Sequence, residues 1–270
     1  MKANRLVLTV LLLVTAAVFQ LPAQQNEADR KVLAEIRAGA DKGDAKAQYE
    51  LGRAFFSGTL GVAKDEAEAV KWFHKAAEQN VADAQFSLGV CYANGRGVAK
   101  DDAEAVKWFR KAAEQNDARA QAALGVRYAK GQGVAKNKAE AVKWFRKAAE
   151  QNVADAQYNL GVCYANGQGV TEDDAESVKW FRKAAEQNFA DAQYNLGVYY
   201  DSGEGVAKDE VEAYKWWLLA AGQGSDDAKY NMTIVENKMS REQIAEGRRL
   251  ARDFKPRKVP SEGSDARLPP

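Results

Sequence analysis

The sequence has few prolines, one histidine and two cysteines, and these shortages narrow the possible folds and functions. Its five prolines are Pro22, Pro256, Pro260, Pro269 and Pro270, so residues 23–255 contain none. Because proline breaks helices and this stretch is rich in Ala, Lys, Glu and Gln, an all-α fold is indicated. A single histidine without convergent partners makes neither a metal site nor a catalytic triad.

Charge of one sign is also lacking. The chain carries 39 Lys and Arg against 38 Asp and Glu. No excess charge therefore attracts it to nucleic acid or to an anionic membrane surface. We expect neither as a partner.

The first residues have the layout of a secretory signal. Lys2 and Arg5 precede an uncharged, apolar run over residues 6–19, and small-residue cleavage is expected after Ala23. The run is too short to span a bilayer comfortably, although an uncleaved anchor is the alternative. We therefore predict a signal peptide over residues 1–23, a periplasmic or secreted protein, and no membrane insertion after cleavage.

A repeat of 36 residues dominates the remainder of the chain. Trp72, Trp108, Trp144, Trp180 and Trp216 are spaced by 36 residues each time. The segment AEAVKWFRKAAEQN at 103–116 recurs unchanged at 139–152, and ADAQYNLGVCYANGQGV at 154–170 has a counterpart upstream of each tryptophan. Such a period is typical of a solenoid.

Each repeat predicts a hairpin of two helices, A and B. In helix A of the second repeat, Ala84, Leu88 and Cys91 form one apolar stripe. Helix B has two apolar stripes, one containing Trp108 and the other containing Phe109. A helix that is apolar on two sides must be covered on two sides. Asp101 is placed to cap helix B, with Glu104 three residues later as an acidic capping box.

The predicted organisation is a signal, a cap, five repeats and a second cap. Residues 24–43 form an N-terminal capping helix, and residues 225–254 form C-terminal capping helices, with a capping box at Ser240 and Phe254 closing the stack. Residues 255–270 are expected to be a disordered tail. The five repeats, which together span 44–224, cover residues 44–80, 81–116, 117–152, 153–188 and 189–224.

The pattern A-x-A-x-x-x-L-G-x-x-Y-x-x-G-x-G-V, a capping Asp and then A-x-x-W-x-x-K-A-A resembles the Sel-one-like repeat, a relative of the tetratricopeptide repeat. The resemblance implies a right-handed α/α superhelix of five helix-turn-helix repeats, used as an adaptor that gathers other proteins. It also implies that helix A lines the concave surface. It names no partner, since function rests on a site and not on a fold.

Cysteine usage departs from part of that family. Some bacterial members carry paired cysteines in each repeat and are associated with β-lactam binding or hydrolysis. Here Cys91 and Cys163 lie two repeats apart, roughly 20 Å in a helical stack with layers of about 10 Å, which is too far for a disulfide. They are interpreted as small core residues rather than redox or metal-binding groups.

The candidate binding site is the outward side of helix A. Two neighbouring columns there pair aromatic rings with amides, which suit the side chains and backbone of an extended peptide. The alternative is that the rings pack between adjacent A helices. The predicted groove residues are Tyr49, Glu50, Phe86, Ser87, Tyr158, Asn159, Tyr194, Asn195, Tyr230 and Asn231.

The sequence therefore predicts a non-catalytic, monomeric scaffold that binds a protein or peptide without a cofactor or metal. Its one histidine, His74, occupies a position that is arginine in the next three repeats, on a face where charge is normal. A β-lactam-processing hydrolase and a peptidoglycan binder are the alternatives.

Overall fold

The computed structural model describes residues 27–257, which form thirteen helices and no strand within that range. The fold is an all-α repeat fold, as the sequence predicts. The predicted signal peptide and residues 258–270 lie outside the described residues. In chain order the helices are α1 (residues 27–41 as described), α2 (Ala45–Ser57), α3 (Glu66–Glu78), α4 (Ala82–Asn94), α5 (Asp102–Glu114), α6 (Ala118–Lys130), α7 (Lys138–Glu150), α8 (Ala154–Ala165), α9 (Asp174–Glu186), α10 (Ala190–Ser202), α11 (Glu210–Gly222), α12 (Asp226–Glu236) and α13 (Arg241–Asp253).

Helices α2, α4, α6, α8 and α10 are the A helices, and α3, α5, α7, α9 and α11 are the B helices. The chain divides into two compact units, Met1–Ala112 and Ala113–Pro270, and the division falls within α5. In unit 2, each helix from α6 to α12 packs against the next one in the chain, and α13 packs against α11. Among the described residues, no helix is both long and apolar enough to cross a membrane.

Polar side chains fix where the B helices begin. The Asp173 carboxylate accepts the backbone amide of Glu176 at 2.9 Å, and Asp101 accepts that of Glu104 at the same distance. The capping box expected at Asp101 is only half formed, because the Asp101 amide donates to the Tyr92 carbonyl at 2.9 Å. Glu104 instead forms an ion pair with Lys107 at 2.7 Å.

Asparagine ends four of the B-helix segments in the left-handed conformation. Asn116 has φ 69° and Asn152 has φ 63°, where glycine serves in the fifth repeat with φ 100° at Gly224. Asparagine tolerates this region better than other residues with a side chain.

Within each hairpin, a glycine of helix A lies against a ring of helix B. In the fourth repeat, a Cβ on Gly161 would lie 2.8 Å from the Phe181 ring, closer than real contacts allow. Both faces of α9 are covered, since Val178, Trp180 and Phe181 are all buried. The two-sided burial predicted for helix B is therefore confirmed there.

A buried glutamine ties successive helices together, and the sequence analysis did not identify it. Gln157 on α8 is fully buried, and its Nε2 donates to the Ala149 carbonyl at the end of α7 at 3.1 Å. Its Oε1 accepts from Gln187, which ends α9, at 2.7 Å. Equivalent Gln–Gln bonds join Gln48 to Gln79, Gln121 to Gln151, and Gln193 to Gln223.

Helix α13 closes unit 2. The predicted Ser240 capping box is present, because Ser240 and Gln243 each accept the other's backbone amide through their side chains. Phe254 packs edge-on against Trp216 with centroids 5.6 Å apart. Residues 255–257 of the predicted tail are described, and the Arg257 amide donates to the Glu186 carbonyl at 2.8 Å.

Candidate functional site: the outward face of the A helices

The predicted groove aromatics rest mainly on rings of the B helices. In unit 1, Phe86 is 3% exposed, with its ring centroid 5.8 Å from that of Phe109. Tyr49 stands over Phe73 at 5.8 Å. The structure thus makes Phe86 part of the core rather than of an accessible surface.

In unit 2 the same column becomes progressively more exposed toward the C-terminal end. Tyr158 is half-buried between Phe181 and Phe189, with centroids 5.7 and 5.2 Å away. Tyr194 packs partly into the core beside Trp217, whose indole N–H donates to the Tyr194 carbonyl at 3.2 Å. Tyr230 is 67% exposed.

Two of the three predicted amides use their N–H groups within their own helix. Asn159 donates to the Asp155 carbonyl at 2.8 Å, and Asn195 donates to the Asp191 carbonyl at 3.0 Å. The Asn195 side chain also lies near the Tyr158 hydroxyl, although Tyr158 belongs to the preceding A helix, α8.

Tyr158 stays a neutral phenol at physiological pH. Burial, together with the nearby Asp191 carboxylate, raises the pKa of Tyr158 above its usual value.

The remaining predicted groove residues, Glu50, Ser87 and Asn231, are half-buried. The Glu50 carboxylate lies 3.9 Å from the Arg53 guanidinium.

An aliphatic column lies beside the amides. Val198 on α10 is 36% exposed and Ile234 on α12 is 40% exposed. With Tyr230 they are three of the four exposed large hydrophobic residues within residues 27–257. The sequence signal for this column is the valine that follows Leu-Gly in four of the five repeats, which the sequence analysis did not identify as a site.

We use "A-face" for the outward side of α8, α10 and α12 in unit 2. Tyr194 of α10 and Met232 of α12 pack against the same buried cluster, and both helices pack against α11. Each helix contributes an acid, a tyrosine, an asparagine and an aliphatic residue in the same order. The residues are Asp155, Tyr158, Asn159, Val162, Asp191, Tyr194, Asn195, Val198, Asp227, Tyr230, Asn231 and Ile234.

The outward side of the B helices satisfies its own charges. Lys179 pairs with Glu176 at 2.8 Å, one helical turn away. Lys183 lies over the Trp180 ring, 4.1 Å from its centroid. In the fifth repeat leucine replaces that lysine, and Lys215 takes over the stacking on Trp216 at 4.3 Å. These contacts support the interpretation of the B face as a solvated surface.

The candidate reactive residues are held in unreactive settings. Cys91 and Cys163 are free and buried. Burial raises the pKa of Cys91 to about 12 and that of Cys163 to about 11, so both remain thiols at neutral pH. His74 is half-buried, hydrogen-bonds the Tyr92 hydroxyl at 3.0 Å and meets the Trp108 ring edge-on at 5.4 Å.

No group of three or more His, Cys, Asp or Glu side chains that could hold a metal ion occurs in the described part of the chain. What the A-face offers chemically is the exposed carboxylates of Asp191 and Asp227, partly satisfied amides and apolar side chains. Such a surface is suited to binding rather than to bond-making chemistry.

Two solved structures share this architecture at substantial sequence identity. The protein is 36% identical to c5321, a protective antigen of uropathogenic Escherichia coli with an SLR fold, over 82% of this chain and 48% of that chain, with a TM-score of 0.75. It thus spans about half of that antigen. It is 32% identical to a Sel1 repeat protein from Oxalobacter formigenes, over 86% of this chain and 98% of that chain, with a TM-score of 0.72.

None of the curated proteins matches the chain at a significant level. Proteins built from Sel1 repeats are typically scaffolds for protein–protein interaction and are generally non-catalytic. The Sel1 repeat profile matches residues 45–81, 82–117, 118–153, 154–189 and 190–225, which is most of the chain. This protein therefore belongs to the Sel1 repeat family.

Proposed function

We propose that the protein is a non-catalytic scaffold that binds another protein or a peptide along the A-face. One observation carries the proposal: Val198, Tyr230 and Ile234 leave apolar surface exposed on one side of two adjacent helices. Clustered apolar exposure of this kind marks interaction surfaces in soluble proteins. The B face offers no comparable surface, because its lysines pair with glutamates and stack on tryptophans.

Site-specific photo-crosslinking in the native cell tests this function. A photoreactive amino acid at Val198 should capture a defined partner, whereas the same group at Lys143, an exposed B-helix position, should not. Tyr230→Ser should reduce the capture, since it removes the most exposed ring, while the circular dichroism spectrum stays unchanged. Equal capture from both positions would contradict an A-face site.

The proposed location is the periplasm or the exterior of the cell. Support comes from residues 1–23, which combine two basic residues, an apolar run and a small-residue cleavage site. Edman degradation of the protein recovered from its native compartment should give Gln24 as the first residue. A retained Met1 would instead identify an anchor.

Absence of catalysis is part of the same proposal. The neutral, buried thiols of Cys91 and Cys163 are poor nucleophiles. Purified protein should leave a chromogenic β-lactam intact and should not sediment with purified peptidoglycan sacculi. Turnover or co-sedimentation would favour one of the two alternatives.

A further inference from the structure

The A-face carries carboxylates that no cation of the described chain neutralises. Asp191 and Asp227 occupy the same position on α10 and α12, are exposed, and form no ion pair within residues 27–257. Asp226, one residue earlier, differs because it pairs with Lys229 at 2.7 Å. On α12, the unpaired carboxylate at the start of the helix is therefore that of Asp227 and not that of Asp226.

The acidic character is specific to this end of unit 2. On α6, the equivalent position is Arg119, and Arg127 and Lys130 follow on the same helix. The aromatic–amide pair is also missing from α6, where Ala122 and Ala123 stand and are buried. Aromatic, amide and acidic positions coincide only on α8, α10 and α12.

Each acid has an aliphatic neighbour farther along its helix. Asp191 and Val198 are seven residues apart on α10, as are Asp227 and Ile234 on α12. Seven residues of α-helix rise about 10 Å, and adjacent packed helices lie about 8–10 Å apart. The acidic positions thus form one row across α10 and α12, and the aliphatic positions form a second row about 10 Å away, so an extended peptide that lies between the rows points alternate side chains to each row.

We infer that the A-face accepts an extended cationic peptide in which lysine or arginine residues meet Asp191 and Asp227 and aliphatic side chains rest on Val198 and Ile234. This inference rests on the proposed scaffold function and adds the chemistry of its partner. Two free carboxylates attract a cation and repel an acidic segment, so charge complementarity selects the occupant. The exposed Tyr230 ring lies between the two kinds of position and adds cation–π and apolar contact.

Binding of three fluorescent peptides to the full mature chain tests the inference. The first peptide repeats Lys-Ser-Ser-Leu, the second carries Glu in place of Lys, and the third carries Ser in place of Leu. Fluorescence anisotropy should show the tightest binding for the first peptide and no saturable binding for the second. Raising the salt concentration should weaken the first complex, because salt screens exposed charge pairs.

Two double variants locate the site. Asp191→Asn with Asp227→Asn should weaken binding of the first peptide about three- to tenfold at low salt, as expected for two exposed ion pairs. Val198→Ser with Ile234→Ser should weaken it without changing its salt dependence. Glu114→Gln with Glu150→Gln, which removes two exposed B-helix carboxylates, should have no effect.

Equal affinity for the lysine and glutamate peptides overturns the inference, and so does unchanged binding by the aspartate variant. Failure of all three peptides to bind also overturns it. The scaffold function is judged separately, by photo-crosslinking at Val198. Capture of an acidic protein or of a second copy of this chain at Val198 would support the scaffold function and contradict the inference of a cationic peptide.

Discussion

At the scale of single residues, the buried glutamines contribute to stability through hydrogen bonds that join successive helices. Gln157→Leu keeps the approximate volume but leaves the Ala149 carbonyl and the Gln187 amide without their partner. We expect the free energy of unfolding to fall by about 1–3 kcal/mol, the usual consequence of orphaning buried polar groups. Urea denaturation followed by circular dichroism measures it.

Gln187→Ala is the matched control, because it removes only the bond to the Gln157 Oε1 and leaves the bond from Gln157 to the Ala149 carbonyl in place. Its effect should be clearly smaller than that of Gln157→Leu. Equal effects would mean that the bond to the Ala149 carbonyl contributes nothing to the stability.

A second residue-scale prediction concerns the hairpin glycines. Gly161→Ala should lower the free energy of unfolding by about 1–3 kcal/mol, since overpacking a core displaces its neighbours. The displaced group is the Phe181 ring, 2.8 Å from the added Cβ. Gly222→Ala, where no atom lies within 4 Å of the added Cβ, should instead be neutral or stabilise by up to about 1 kcal/mol.

The sequence predicted the helix A stripe correctly but could not settle the groove rings. Position 86 borders both the core stripe and the outward side, so the pattern alone fits either placement. A phenylalanine there reaches the Phe109 ring and is buried, whereas Tyr230 on α12 remains exposed. Whether the ring is buried depends on whether a ring of the neighbouring B helix lies within reach, and the sequence pattern does not contain that information.

At the scale of secondary-structure elements, α13 is held to α11 by contacts at its middle and at its end. Phe254 meets Trp216 edge-on, and Gly247 lies against the buried ring of Tyr214. Phe254→Ala should release the end of α13, lower the free energy of unfolding by about 2 kcal/mol for a half-buried ring, and expose Trp216. A red shift of tryptophan emission, absent from the exposed-site variant Arg252→Ala, is the measurement.

Helix existence and order were predictable because the period repeats with little change over five units. The capping box at Asp101 was predicted wrongly in one half. Its amide already donates to Tyr92, the last aromatic of the preceding helix, at 2.9 Å. The loop between α4 and α5 folds back on α4, so the Asp101 amide is already used there and cannot donate to Glu104. The local sequence does not reveal this.

At the scale of the whole molecule, stability in a repeat array is distributed, since each repeat buries its apolar face against its neighbours. The two thiols lie in repeats two and four and are both buried. With pKa values of about 12 for Cys91 and about 11 for Cys163, neither supplies thiolate at pH 8. Reaction with a disulfide reagent therefore requires opening of the surrounding repeat, which restores an ordinary thiol pKa of about 8.5.

This makes the thiols reporters of local opening. In the unaltered protein each thiol should react slowly, at a rate set by the opening of its own repeat. Gly161→Ala strains the repeat that contains Cys163, so labelling of Cys163 should accelerate more than labelling of Cys91, which mass spectrometry of the labelled peptides distinguishes. Gly222→Ala should accelerate neither. Equal acceleration at both thiols would show that the two units open together, and that the array behaves as one cooperative body rather than as coupled repeats.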